Sequence, residues 1–452
     1  MLVAMPSGAQ VIRQDRLGER APPLAISSTA RRPNDLVGFW LPTCVLFAIA
    51  CLGAERWRAL FASLPTIVRT VLAPPIFIAH PLAVYEASVF LACLVWLLWR
   101  HRTLFRNVAR ALRGDDWRQA FYVIIVLELL SLATRPSSLG IDYEMLSLTP
   151  FGQDTGIFNR RILDVAAAYY THLNGGLFVV FHFLTVFALL ALVRAYLRRL
   201  GAEPSFLVFV SLAGSSFIIF NFQYVGYPDP LVLLLVLCAL LAELELETLL
   251  FLVVLALLTH EALATALFLP LLCFAPRRLW PVLALPFAIY GVLWIVDFHL
   301  DPVAGWTRQI HFQGLSGPEA VAQRPLVVLF GILAGYKLLW LVIGDQLAFT
   351  ALRCRPSALG RLAAPLVGMA AICVLSYDTS RMAEVGFLTL LWSWPGWIAR
   401  WSTRAVLAVA AANFLIPSVY VTPYFNHPLG VIWPPGLYSA YHGFRSDTVS
   451  IN

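Results

Sequence analysis

Asp142, Asp154, Arg160, Arg161, Asp229, His260, Glu261, Asp378 and Arg381 are the side chains of this sequence whose types and positions could do chemistry. Each stands beside or inside an apolar stretch, where an ionisable group is costly and is held by a partner, a cavity or a site. Carboxylates can take a proton from an attacking hydroxyl. Arginines and a histidine can hold an anion or steady charge that builds on a leaving phosphate. Every one also has a plainer use. Arg160 and Asp164 are four residues apart and can pair on a helix lying in the membrane interface. Asp229 follows Gly226-Tyr227-Pro228 and suits a helix N-terminus, where an acid caps free N–H groups. His260-Glu261 lacks a second histidine four residues on, so it is no zinc-protease signature; it fits a hydrogen-bonded break between helices. Asp378 can cap a helix and pair with Arg381 three residues later, or Arg381 can face an anionic ligand. Asp297, His299 and Asp301 alternate as a chelating loop would, but read more simply as solvated.

The elements that must position these groups are helices in a membrane. The chain has 452 residues, 60% hydrophobic and 13% charged, against about a quarter charged in an average soluble protein. That balance excludes an ordinary soluble enzyme. Apolar runs recur near 37–53, 82–99, 119–134, 175–195, 205–221, 229–243, 248–259, 262–275, 279–296, 325–343, 363–376, 382–399 and 404–420, and about 20 residues cross a bilayer core as a helix. The predicted fold is all-α: a polytopic transmembrane bundle of about 13 helices. Runs 248–259 and 262–275 are too short to span singly, which predicts a half-length pair broken at Thr259-His260-Glu261. Such a break at depth is tolerated where it lines a cavity or packs on protein. Residues 1–36 read as a disordered cytosolic tail, 37–420 as the membrane domain with external loops at 135–174 and 297–324, and 421–452 as a non-cytosolic tail.

The net charge of +7 comes from basic residues scattered between apolar runs. Membrane orientation explains that pattern better than nucleic acid does. With the N-terminus in the cytosol, twenty-one basic residues fall inside and ten outside, the asymmetry expected of cytosolic loops. The C-terminus then lies outside, and the candidate residues gather on the non-cytosolic face. Seven cysteines without C-x-x-C spacing argue against a disulfide framework and a zinc site. No phosphate-binding glycine loop, nucleophile elbow or dinucleotide turn is present, so an enzyme of this build takes an activated substrate already in the lipid.

The order of features resembles the integral-membrane glycosyltransferases of the GT-C type. The likeness covers roughly Tyr122 to Met382. It rests on Gly140-Ile141-Asp142-Tyr143-Glu144 in the first long external loop, Phe158-Asn159-Arg160-Arg161-Ile162-Leu163 leading into a helix, Gly226-Tyr227-Pro228-Asp229-Pro230, Thr259-His260-Glu261, and Tyr377-Asp378-Thr379-Ser380-Arg381 before a late span. Two apolar helices precede the span that matches the family's first, and no large C-terminal soluble domain follows. The resemblance implies transfer of a sugar from a polyprenyl-phosphate donor to an acceptor on the non-cytosolic face of a membrane, here a bacterial inner membrane. It implies a catalytic acid at Asp142, with Asp154 second, and substrate-binding roles for Arg160, Arg161, Asp229, His260, Glu261, Asp378 and Arg381. A divalent cation is left open as a cofactor; no metal ligand is assigned. The acceptor is not identified. A secondary transporter, or a lipid-binding membrane protein without catalysis, are the alternative readings.

Overall fold

A computed structural model describes residues 26–27, 38–51, 82–131, 139–151, 161–242, 244–272, 275–300, 311–312, 315–375, 378–422 and 430–432. Asp154 and Arg160 lie outside the described residues, and so does Asp301. The side chains of Asp297 and His299 are not described either, although both residues fall in a helix.

The described chain is nearly all helical. In order the helices are α1 (Gly38–Cys51), α2 (Leu82–Arg100), α3 (Arg102–Ala111), α4 (Gly114–Ser131), α5 (Leu139–Leu148), α6 (Ile162–Tyr170), α7 (Phe178–Arg199), α8 (Phe206–Ala213), α9 (Ser216–Gln223) and α10 (Asp229–Leu241). They continue as α11 (Leu246–Thr259), α12 (Glu261–Leu272), α13 (Trp280–Leu300), α14 (Gly317–Gln323), α15 (Pro325–Tyr336), α16 (Trp340–Leu352), α17 (Pro356–Leu375), α18 (Thr379–Met382), α19 (Phe387–Arg400) and α20 (Thr403–Leu415). Five helical stretches are long and apolar enough to cross a membrane: Ala83–Arg100, Gly175–Arg199, Arg277–Val296, Pro325–Leu352 and Pro356–Leu375. Their outward faces carry exposed Val95, Trp99, Leu184, Val292, Leu329 and Val367, as lipid-facing helices do. The protein is therefore a helical membrane protein.

Shorter helices fill the interior. α10 and α11 are buried on nearly every side, and a helix apolar all round belongs inside a bundle. They are joined by a short connection, whose strand β2 (Leu244–Glu245) pairs in parallel with β1 (Ile26–Ser27) of the N-terminal tail. The anticipated break is present. α11 ends at Thr259, His260 takes an extended conformation, and α12 starts at Glu261.

Other breaks had no anticipated place. The run 205–221 divides into α8 and α9 at Gly214-Ser215. The run 325–343 breaks at Lys337, whose φ is +52° and whose ammonium donates to the Ile416 carbonyl at 3.0 Å and to Ser418 Oγ at 3.1 Å. That tertiary anchor holds a backbone conformation that side chains other than glycine rarely adopt. The basic stretch between the apolar runs 82–99 and 119–134 contains α3, which buries Leu104 and Val108 and exposes its arginines. Two short antiparallel pairs complete the described structure: β3 (His311–Phe312) with β4 (Leu315–Ser316), and β5 (Ser418–Tyr420) with β6 (Gly430–Ile432).

Candidate functional site

At one end of α10 three parts of the chain, far apart in sequence, meet. Asp229 is the first residue of α10, behind Pro228 at the N-cap, and its Oδ1 has no hydrogen-bond partner among the described residues. It is 2% exposed, and one carboxylate oxygen accepts from Arg381 Nη1 at 2.5 Å. The other lies 3.9 Å from His260 Nε2. The Leu263 N–H donates to His260 Nδ1 at 3.4 Å, which assigns the imidazole proton to Nε2, facing Asp229. The capping explanation of Asp229 is therefore replaced by a tertiary one.

Arg381 is the hub. It pairs with Asp229, lies 3.0 Å through Nε from Asp378, and sits over the Tyr227 ring at 4.6 Å, a favourable place for a guanidinium. Asp378 precedes α18 and makes no cap either; Tyr420 donates its hydroxyl to it. The β5 segment that carries Tyr420 is tied down next door, where the Val421 N–H donates to Ser380 Oγ at 2.9 Å. Phe220, Tyr224, Tyr227 and Tyr420 pack together as an aromatic wall beside these charges.

A second ion pair joins the cluster from the side of α6. Arg161 donates from Nε and Nη2 to the two oxygens of Glu261, each at 3.1 Å, the forked geometry that carboxylates make with arginine. Its Nη1 donates to Tyr143 Oη at 3.2 Å. Tyr143 is fully buried on α5, and its ring centroid is 6.4 Å from that of Tyr227. Two glycines make that approach possible. A Cβ on Gly140 would lie 2.0 Å from the Val225 carbonyl oxygen, and one on Gly226, at φ +95°, would meet Gly140 at 3.0 Å. The start of α5 thus rests directly on the turn that leads into Asp229.

The expected residues are distributed as follows. Arg161, Asp229, His260, Glu261, Asp378 and Arg381 come together. Asp142 does not join them: it neighbours Tyr143 on α5 but is exposed. Asp164, expected at the surface, is 2% exposed, and neither carboxylate oxygen has a hydrogen-bond partner among the described residues. It lies within electrostatic reach of Arg161 and Asp229, and burial pushes its carboxyl up to about 8. Glu384, 1% exposed, was not anticipated; it interacts with Asp229 and Arg381, and its Oε1 has no hydrogen-bond partner among the described residues. It falls inside the apolar run 382–399, two residues from its start, and an ionisable group there needs a partner or a site as the others do. Tyr420 carried no such signal.

Among the described residues, then, Asp164, Asp229, Glu261, Asp378 and Glu384 face only Arg161 and Arg381 as permanent cations. Carboxylates this crowded do not all ionise together. The set can hold and release protons, and both arginines are already engaged by acids, so any anion that enters competes with a carboxylate. A hard divalent cation takes about six oxygen ligands, whereas no three ligating groups are so arranged among the described residues. No family model matches the chain, and no curated protein or solved structure matches it.

Proposed function

We propose that this protein is a membrane glycosyltransferase that moves a sugar from a polyprenyl-phosphate donor to an acceptor at the non-cytosolic face of a bacterial inner membrane. The observation that carries the reading is the convergence of Arg161, Asp229, His260, Glu261, Asp378 and Arg381, from four separate segments, at one end of a helix bundle. An exposed acid, Asp142, stands one residue from a side chain that touches the cluster. In the reaction the acceptor hydroxyl attacks the anomeric carbon and its proton passes to Asp142. The bond from that carbon to the phosphate oxygen breaks, the electron pair leaves with the lipid phosphate, and the anomeric centre inverts. Arg381 and Arg161 exchange a carboxylate for the phosphate and balance its charge. The tyrosines beside Arg381 offer flat apolar faces with polar tips, which suits a sugar ring.

The deciding experiment is an assay of the purified protein against a panel of polyprenyl-phosphate sugars with Asp142→Asn and Asp154→Asn. Loss of the base lowers turnover by about 100-fold to 10,000-fold, while donor binding is retained. Normal turnover of Asp142→Asn beside an inactive Asp154→Asn moves the base to Asp154; normal turnover of both ends the proposal. Sidedness is read separately, in a cysteine-free background. Asp154→Cys reacts with an impermeant thiol reagent outside intact cells and Gly114→Cys does not.

The excess of buried carboxylates over arginines favours one second reading, a proton-coupled transporter built on the broken α11–α12 pair. Uptake of a water-soluble solute into vesicles driven by a pH gradient, with no sugar transfer, would establish it instead.

A further inference from the structure

The opposite end of α10 holds a cavity. It has a volume of about 570 Å³ and is lined by Arg110 at the end of α3, Arg113 in the following turn, Arg198 and Arg199 at the end of α7, and Leu241 at the end of α10. Cavities of this size take small molecules or head groups. Its charge is not balanced from within. Arg198 is neutralised by Asp116, whereas Arg199 donates to the carbonyls of Leu240 and Leu241, which leaves its charge in place. Arg110 and Arg113 are exposed, and among the described residues neither side chain pairs with a carboxylate. Three uncompensated guanidinium groups therefore face one pocket. Its walls are fixed, because the Arg113 N–H donates to Asp116 at 2.8 Å and Arg198 also donates to the Ala111 carbonyl. The surroundings are those of a bilayer interface: α3 buries one face and presents Phe105 and three arginines on the other, and Arg102 stacks on exposed Trp99 at 4.8 Å.

We infer that this pocket binds a phosphate-bearing anion of head-group size, held by Arg110, Arg113 and Arg199. The inference is independent of the proposed catalysis, because no residue of the Asp229 cluster takes part. The planar guanidinium suits phosphate oxygens better than an ammonium does, and the apolar wall of Ala111, Ala195 and Leu241 suits the glycerol end of a lipid more than bare solvent. One chemistry therefore has two sources, an anionic lipid or a soluble phosphate ester.

The test uses the full chain in a neutral detergent, with thermal unfolding followed while phosphatidylglycerol, phosphatidylcholine or inorganic pyrophosphate is added. Phosphatidylglycerol is expected to raise the unfolding temperature saturably and phosphatidylcholine to leave it unchanged. A matching response to pyrophosphate identifies the source as soluble and still supports the site. The Arg110→Gln/Arg113→Gln pair is expected to raise the half-saturating concentration about tenfold or more, from the loss of two charge-assisted contacts. The Arg102→Gln/Arg106→Gln pair removes the same charge from the neighbouring turns of α3, outside the pocket, and leaves the half-saturating concentration within about twofold. Equal weakening by both pairs marks a diffuse surface effect and overturns the inference. So does a lack of response to both anions. Arg110→Gln alone, at an exposed position, provides the same comparison if the double variant is poorly folded.

Discussion

The two ends of α10 use the same residue types to opposite effect. Around Leu241, Arg194 pairs with Asp115 at 2.5 Å and Glu203 at 2.6 Å, Arg198 with Asp116, and Arg118 with Asp115. These ties join neighbouring helix ends, several are open to solvent, and the balance is basic. Around Asp229 the partners converge from four segments, Asp164, Asp229, His260, Arg381 and Glu384 are buried, and the balance is acidic. An arginine-rich helix end tied to nearby acids is what orientation and folding of a membrane bundle require. Buried acids without partners have no such use, since each adds a desolvation cost that tighter apolar packing would avoid. The contrast separates a structural ionic belt from a site, and charge counts alone could not make that separation. It is roughly 18 Å from one end of the helix to the other, taking 1.5 Å per residue over its 13 residues.

The sharpest test of the contrast is Arg381→Leu. It leaves Asp229 and Asp378 buried beside each other without their shared cation, and stranding a buried charge costs about 3–5 kcal/mol. Arg198→Leu is expected to cost less, because Asp116 keeps the Arg113 N–H at 2.8 Å and Arg194 at 3.5 Å. Unfolding midpoints of the two purified variants decide the matter. Equal losses would mean that the acidic cluster is one more structural tie.

Gly140→Ala comes next. The added methyl carbon would meet the Val225 carbonyl oxygen at 2.0 Å, and backbone cannot yield as a flexible side chain does. Overpacking of this kind costs about 1–3 kcal/mol. It also lifts α5, and Tyr143 with it, away from Arg161. The expected signature is lower stability together with lost sugar transfer; Gly114→Ala, with open space around it, is expected to change neither.

Much of the acidic end was legible in the sequence, for a physical reason. An ionisable residue beside or inside an apolar stretch needs a partner, and Arg161, Asp229, His260, Glu261, Asp378 and Arg381 all stand so placed. The helix break at His260 was legible from length, because neither half-run could span alone. Which partner each residue chose was not. Asp229 and Asp378 both stand where a cap is expected and neither caps, since tertiary arginine contacts outcompete local N–H groups. Asp164 looked like half of an i, i+4 surface pair, and only three-dimensional packing turns it inward. The Lys337 break depends on an anchor near residue 416, and no local pattern encodes that. α3 falls outside every apolar run because its arginine content hides two buried positions, Leu104 and Val108.

Asp164 gives a test that pH alone can run. Its folded carboxyl is raised to about 8 by burial, above the value near 3.9 of an unfolded aspartate. Between those values the folded state keeps a proton that the unfolded state has released. Stability therefore falls as pH rises from about 4 to about 8, by at most about 1.4 kcal/mol per unit, and is unaffected by this group outside that window. Asp164→Asn is expected to flatten the fall, and unfolding midpoints at pH 5 and pH 8 measure it. A slope that survives the substitution would assign it to another member of the cluster, with Glu384→Gln as the next variant to measure.

The smallest effect belongs to the basic end, and its smallness is the point. Arg118 is 63% exposed and pairs with Asp115, itself 35% exposed, three residues away on the same helix. Exposed pairs at this spacing contribute about 0.3–0.5 kcal/mol, and salt screens them further. Arg118→Ala also leaves Asp115 with Arg194, so no charge is stranded. The variant is expected to unfold within about 0.5 kcal/mol of the parent and to lose even that difference in high salt. Arg381→Leu behaves differently on both counts: its cost is several-fold larger and is little affected by salt, because Arg381 and Asp229 are 7% and 2% exposed and buried pairs are screened much less than surface ones. Salt titration of the two variants side by side therefore measures the distinction between the ends of α10 directly. A salt-sensitive Arg381 would show that the acidic cluster is open to water and ions in its resting state, and the proton-holding role of its unpaired acids would fall with that result.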